Sequence, residues 1–238
     1  MYGARQHHVE FGHHEISNES EWIRSAILPH FSKNTIAFKE FSIDLIMKPL
    51  QAQSSLNPRI AIYKNIGNLL STLLGPVDLV LDDIPNKFKA IMKSYKVAEV
   101  SARKFHKLTL SFNGYEYGTE VTATGTGSVT ISNPGNILSP VLLTLTPGAT
   151  ASNVRISGIC RNPHTGEDEP VVLGSVTKNK VITLDGANGL FTEGSGNAET
   201  LKADITIKSP PGILGGQNTI TSTQASMAMT AKVLPLYM

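Results

Sequence analysis

The chain has 238 residues, with 21 Lys plus Arg against 19 Asp plus Glu. The resulting formal net charge of +2 is too small and too dispersed to draw nucleic acid by itself. One cysteine, Cys160, rules out an internal disulfide and a thiolate-pair metal site, which argues against a secreted disulfide scaffold or a zinc ribbon and favours a reducing compartment.

The opening MYGARQHHVEFGHHE has no apolar stretch behind a basic start. No run anywhere approaches the roughly 20 apolar residues of a membrane span, so a soluble protein without an address signal and without membrane contact is expected. His7, His8, His13 and His14 form a doubled pair, and imidazole is a common metal ligand. No carboxylate or cysteine pattern completes a set, however, and strand alternation would scatter neighbouring rings over both faces. A solvated segment or a subunit contact is the reading that follows, and no metal is assigned.

Further along, FKEFSIDLIMK puts Phe41, Ile43, Leu45 and Met47 on alternate positions, the period of a half-buried strand. The segment NPRIAIYKNIGNLLSTLLGP predicts a helix. Asn57 is its N-cap, Pro58 its first helical residue, and apolar positions follow at 62, 66, 69, 70, 73 and 74. Gly75 is expected to supply a left-handed cap, and Pro76 forbids continuation. It is the one strong helical signal in the chain.

After the helix, Val77, Leu79 and Leu81 alternate with Asp78 and Val80, and a second strand begins at Phe88. Between them stand the adjacent carboxylates Asp82 and Asp83, in DDIPN. A working acid pair needs two carboxylates facing one substrate, whereas neighbours in a strand point to opposite faces. Asp, Asn and Pro are also the residues that bends use, so a hairpin tip is the expectation. KLTLSF then repeats the strand period with Leu108, Leu110 and Phe112.

Composition changes after residue 120. Residues 1–120 hold 13 of the 15 aromatic side chains, whereas residues 121–238 hold 14 of the 20 glycines and 8 of the 13 prolines. Two domains, 1–120 and 121–238, are the simplest account, with a junction near Gly118 to Gly127. The second half reads as short strands: SVTIS, PVLLTLTPG, NVRISGI, PVVLGS, KVITLDG, ADITIKSPPG, NTITST and MAMTAKVLP. Turn signals about every ten residues, with no helical period, give the rhythm of a β-sandwich.

Candidate chemistry is sparse. Cys160 and His164 lie four apart in CRNPHTGEDE, but Pro163 and Gly166 make that segment a loop, which gives a catalytic dyad little support. GTGS at Gly125 to Ser128 precedes a strand, whereas a phosphate cradle precedes a helix N-terminus, so it reads as a glycine-rich turn. No nucleophile-elbow, zincin or P-loop pattern occurs. No catalytic residue and no cofactor-binding residue is assigned, and no enzyme is expected.

The order of elements carries a resemblance. VDLVLDDIPNKFKAIM after a capped helix, then KLTLSFNGYEYG, ISNPGNILSPVLLTL and LDGANGLFTEGSG, closing on SPPGILGGQNTIT and KVLPLYM, resembles the phage distal tail protein family, called Dit. The resemblance covers nearly the whole chain. Its most specific parts are LDDIPNKF, the NPG to SP entry of the second half, and PPGILGGQN. It implies a mainly β protein, with an N-terminal β-barrel-like ring domain bearing one α-helix, followed by a galectin-like β-sandwich. The implied role is a structural hub at the tip of a virion tail, assembled in the host cytoplasm.

The implied partners are further copies in a hexameric ring, or two rings back to back, together with the major tail tube protein, the tape measure protein, the tail-associated protein and receptor-binding or baseplate proteins. DNA passes only in transit, through the lumen. A ring buries two different faces of every subunit, which suits the aromatic first half; Trp22, Phe31, Phe38 and Phe41 are candidates for core or interface. The rival reading is a carbohydrate-binding, lectin-like adhesion module. Against it, the second half has no Trp to form a sugar platform, and Phe191, Tyr237, Arg155, Arg161 and His164 do not reproduce a galectin arrangement.

Overall fold

The computed structural model of the chain describes residues 2, 4–21, 30–50, 57–82, 84–101, 105–161 and 166–237, and the side chains of these except 13–21, 30–38, 101 and 197. The protein is mainly β, with one α-helix among the described residues. It divides into two compact units, Met1–Glu116 and Tyr117–Met238.

In the first unit, strands β1 (Ala4–Glu21) and β2 (His30–Met47) form a long antiparallel hairpin. Helix α1 (Pro58–Thr72) follows, then β3 (Val77–Val80), β4 (Lys87–Ser101) and β5 (Phe105–Tyr117). The sheet order is β1-β2-β5-β4-β3, and the sheet curls into half a barrel. Alternation in β2 and β5 sends Phe41, Ile43, Met47, Leu108, Leu110 and Phe112 inward, all below 7% exposed. The opening segment, expected to be a solvated segment or a subunit contact, is a strand on which His7 and His8 are exposed. Its period-2 signal is diluted by histidines and by register shifts at Gln6/His8 and Phe11/His14.

The N-terminus of the helix follows the sequence: the Asn57 side chain accepts a hydrogen bond from the Arg59 amide at 3.0 Å, and Pro58 opens the first turn. Its C-terminus does not. The cap is Leu73 at φ −104°, whose amide donates to Leu70 O at 3.0 Å, and Gly75 is not among the residues with positive φ. The last turn tightens to a three-residue bond, so no left-handed residue is required before Pro76 ends the helix. Ile62, Ile66 and Leu73 are buried, but Leu74, expected on the same stripe, is 80% exposed.

The second unit is a sandwich made from one continuous sheet. Its strands are β6 (Val121–Thr126), β7 (Ser128–Asn133), β8 (Ser139–Thr146), β9 (Ala151–Ser157), β10 (Val171–Val176), β11 (Ile182–Asp185) and β12 (Leu190–Glu193). Three two-residue strands follow, β13 (Thr200–Leu201), β14 (Ile205–Thr206) and β15 (Gly212–Ile213), and then β16 (Gly216–Ser222) and β17 (Ala228–Val233). The order is β13-β12-β11-β8-β17-β6-β7-β16-β9-β10-β14, with β15 on β8. The sheet turns its corner between β6 and β7, which share a single partner pair, Thr126 and Ser128.

Two glycines permit that corner. Gly127 has φ +71°, and a Cβ on Gly125 would lie 2.0 Å from Ser128 O. GTGS is thus the hinge of the sandwich. Leu143 and Ile182 from one layer meet Ile156 and Leu173 from the other, all at or below 1% exposure. ADITIKSPPG contributes only Ile205–Thr206 and the first residue of β15, Gly212, with Pro210 and Pro211, which have no amide for a ladder, between them.

One charged cluster stands apart from this apolar core. The side chain of Lys202 is 1% exposed, and its Nζ donates to Glu193 Oε2 at 3.2 Å and to Asp204 Oδ1 at 2.5 Å. Glu193 also receives Lys180 Nζ at 2.8 Å, and Asp204 accepts from Ser175 Oγ. The Lys202 hydrogen bond, followed by that of Ser175, lowers the Asp204 carboxyl to about 2, and Lys180 leads the causes that hold Glu193 below its ordinary value.

Both carboxyls therefore titrate lower folded than unfolded. The stability they contribute is present above the unfolded value near pH 4 and is lost as pH falls through the folded one, about 2 for Asp204. Lys202→Met is expected to cost about 1–3 kcal/mol, a range kept low because both carboxylates keep some water contact. It is also expected to raise the Asp204 titration midpoint, read by carboxyl NMR. An unmoved midpoint contradicts the assignment.

Candidate assembly surface

No group of three or more His, Cys, Asp or Glu side chains among the described residues could hold a metal ion. His7 and His8 are exposed on β1, and the side chains of His13 and His14 lie outside the described ones. Asp82 sits exposed in the turn between β3 and β4, and Asp83 lies outside the described residues. Cys160 is fully buried, and burial pushes its thiol up to about 12, so it is no nucleophile at neutral pH; His164 lies outside the described residues. Arg155 and Arg161 are exposed, while Phe191 and Tyr237 are half-buried. These residues do not converge on a reactive centre.

What the sequence did not single out is a set of large apolar side chains left in water on the first unit. Ile60, Tyr63 and Leu74 are 61%, 46% and 80% exposed. Ile91, Tyr95 and Val100 on β4 are each more than half exposed. The cause is local. At 100° per residue, Ile60, Tyr63 and Gly67 line one side of the helix, away from Ile62 and Ile66, which turn inward, and Leu74 stands exposed just past the helix end at Thr72. The helix is apolar on two faces and buries one. Beneath it the wholly buried His106 meets the Tyr63 ring edge-on at 5.1 Å, which helps fix where that tyrosine stands.

On the sheet, β3 covers β4 only from Lys87 to Ala90. Residues 91–101 therefore continue past the end of β3, and a groove of about 400 Å³ lined by Pro76, Ile91, Met92, Asn113, Gly114 and Tyr115 opens there. At the opposite margin β1 pairs only with β2 among the described residues. Of the four expected aromatics, Phe41 lies in the core at 3% exposure. Trp22 lies outside the described residues, as do the side chains of Phe31 and Phe38.

Unpaired sheet margins and exposed apolar patches are surfaces open to association. A half-barrel sheet with one helix, followed by a β-sandwich, is the fold of the phage tail-hub proteins, and comparison with solved structures identifies it. The structure of the Dit protein (gp 19.1) of phage SPP1, described as a paradigm of the hub adsorption apparatus in phages infecting Gram-positive hosts, matches at TM-score 0.67 and 14% identity, over 99% of this chain and 94% of that one. The phage P2 baseplate in its activated conformation with Ca matches at TM-score 0.50 and 8% identity, over 97% of this chain and 90% of that one. No protein-family model and no curated protein matches the sequence. The chain thus has the Dit fold from end to end. No helix among the described residues is long and apolar enough to cross a membrane.

Proposed function

We propose that the chain is a structural hub of a phage tail tip, carried chiefly by its likeness to SPP1 Dit over 99% of its length. In this reading the first unit joins copies into a closed hexameric ring, and the second unit is a scaffold presented by that ring. The ring continues the tail tube on one side and receives the tape measure end, the tail-associated protein and the receptor-binding parts on the other, with DNA crossing the lumen during ejection. The exposed apolar patches and open sheet margins of the first unit support self-association, because a head-to-tail contact uses two different faces of each subunit and makes a ring where the rotation between copies closes. The role is structural and its place is the virion.

Light scattering with electron microscopy of the purified chain tests this. A six-membered annulus with a central hole is expected. A single copy at every concentration up to the solubility limit, together with tight capture of a glycan, would overturn the hub in favour of a lectin-like module.

A further inference from the structure

The chain contains two Asn-Gly pairs, Asn113-Gly114 and Asn188-Gly189, and one Asp-Gly pair, Asp185-Gly186. At such a pair the glycine nitrogen can close on the side-chain carbonyl carbon of the residue before it, because glycine has no Cβ to shield its amide and few limits on its backbone. The fold decides which pair is free to do so. Asn113 and Gly114 lie within β5 and stand across from Glu40 and Lys39 of β2. Gly114 is also pressed on β4, where an added Cβ would stand 2.4 Å from Lys89 O. Gly186 is tied too, since its amide donates to Val141 O at 2.9 Å.

Asn188 and Gly189 lie outside any ladder. β11 ends at Asp185 and β12 begins at Leu190, and Ala187, Asn188, Gly189 and Leu190 are all exposed. An added Cβ on Gly189 would meet nothing within 4 Å, so the tip of this turn stands in open space. Its polar bonds converge on one carboxylate. Asp185 Oδ1 accepts from the Ala187 and Asn188 amides at 2.9 and 3.1 Å, and Asp185 Oδ2 accepts from Asn188 Nδ2 at 2.7 Å. All three bonds are exposed to water, which competes for them and lets the turn rearrange.

We propose that Asn188 is a site of spontaneous deamidation in the folded protein. The Gly189 nitrogen gives its proton to solvent and attacks Asn188 Cγ, the Cγ to Nδ2 bond breaks, and Nδ2 leaves as ammonia. Water then opens the resulting succinimide at one carbonyl or the other and leaves aspartate or isoaspartate; no oxidant or cofactor is consumed. Either product removes the Nδ2 donor and sets a second carboxylate beside Asp185. A hydrogen bond is thereby exchanged for like-charge repulsion, which pushes open the turn between β11 and β12. The chemistry does not depend on the hub reading, but under that reading it has a consequence: a virion cannot resynthesise its subunits, so the modified turn accumulates with the age of the particle.

Peptide mapping by mass spectrometry, with a separate isoaspartate assay, tests this on the full-length chain held at neutral pH and 37 °C. Asn188 is expected to convert at least about 100-fold faster than Asn113, a ratio equivalent to about 2.7 kcal/mol of strand opening. In the urea-unfolded chain the two asparagines should convert at similar rates, since only the fold separates them. Gly189→Ala, whose Cβ has room, should slow Asn188 at least about tenfold, or about 1.4 kcal/mol on the barrier, and leave Asn113 unchanged. Equal rates at the two sites in the folded chain overturn the proposal, as does an Asn188 that stays intact when folded but converts when unfolded. Neither result bears on whether the chain forms a ring.

Discussion

Replacing Phe88 with alanine is expected to destabilise the first unit by about 3–5 kcal/mol, the usual cost of removing a fully buried phenylalanine. Phe88 is at 0% exposure, and its ring centroid lies 5.4 Å from that of Phe11 and 5.2 Å from that of Phe41, which itself lies 5.5 Å from that of Phe112. Phe88 on β4 thus packs on rings from β1 and β2, and Phe41 extends the cluster to Phe112 on β5, so one set of rings joins four strands. Part of the loss is transfer free energy and part is the cavity left behind, since the neighbouring rings cannot collapse into it. The aromatic contacts add about 0.5–1.5 kcal/mol per pair beyond area burial. Against a total domain stability of about 5–15 kcal/mol, such a loss removes much of the margin. Denaturant unfolding followed by the fluorescence of Trp22 reads the effect. Phe88→Leu, which keeps most of the volume, should fall well short of it. A Phe88→Ala midpoint shift worth less than about 1 kcal/mol contradicts the packing described.

Gly158→Ala is the counterpart in the sandwich. Gly158 follows β9 at φ +90°, a conformation that L-residues rarely adopt, and an alanine Cβ there would stand 2.2 Å from Thr219 O in β16. Strain alone is worth about 1–3 kcal/mol. The clash is with backbone, so relief requires β9 and β16 to move apart at Ser157↔Thr221, one of the two pairs that join them. We expect a loss of at least about 3 kcal/mol, with the second unit partly open at 37 °C. Cys160, two positions away and fully buried, supplies the readout: thiol labelling at pH 8 should be slow in the wild type and fast in the variant. Equal labelling rates would refute the proposed strain.

How far the sequence could be read depends on what each signal measures. Alternation in FKEFSIDLIMK and KLTLSF found the core because those strands face water or neighbours on one side and apolar side chains on the other. Asn57 and Pro58 marked the helix start because capping is a local bond between adjacent residues. The strand signal of β1 was weak because histidines and register shifts interrupt its alternation. Leu74 was placed on the buried stripe although the helix ends at Thr72, because apolar spacing says neither where helical geometry stops nor which face the sheet will take. The assembly surface was illegible for the same reason. Ile60, Tyr63, Ile91 and Tyr95 look like core residues in sequence, and only their exposure in the folded unit shows that they are unspent. The Lys202 cluster was equally hidden, since Lys180, Glu193 and Ser175 reach it from separate segments.

The sandwich has one further property, set by the order in which its strands emerge. β17, Ala228–Val233, lies between β6 and β8 and pairs with both along its whole length. During synthesis the two halves of that sheet have no common neighbour until this segment clears the ribosome, whereas β1 to β5 are already outside. The first unit is therefore the older part of every nascent chain, and the sandwich is fastened last, by its middle strand.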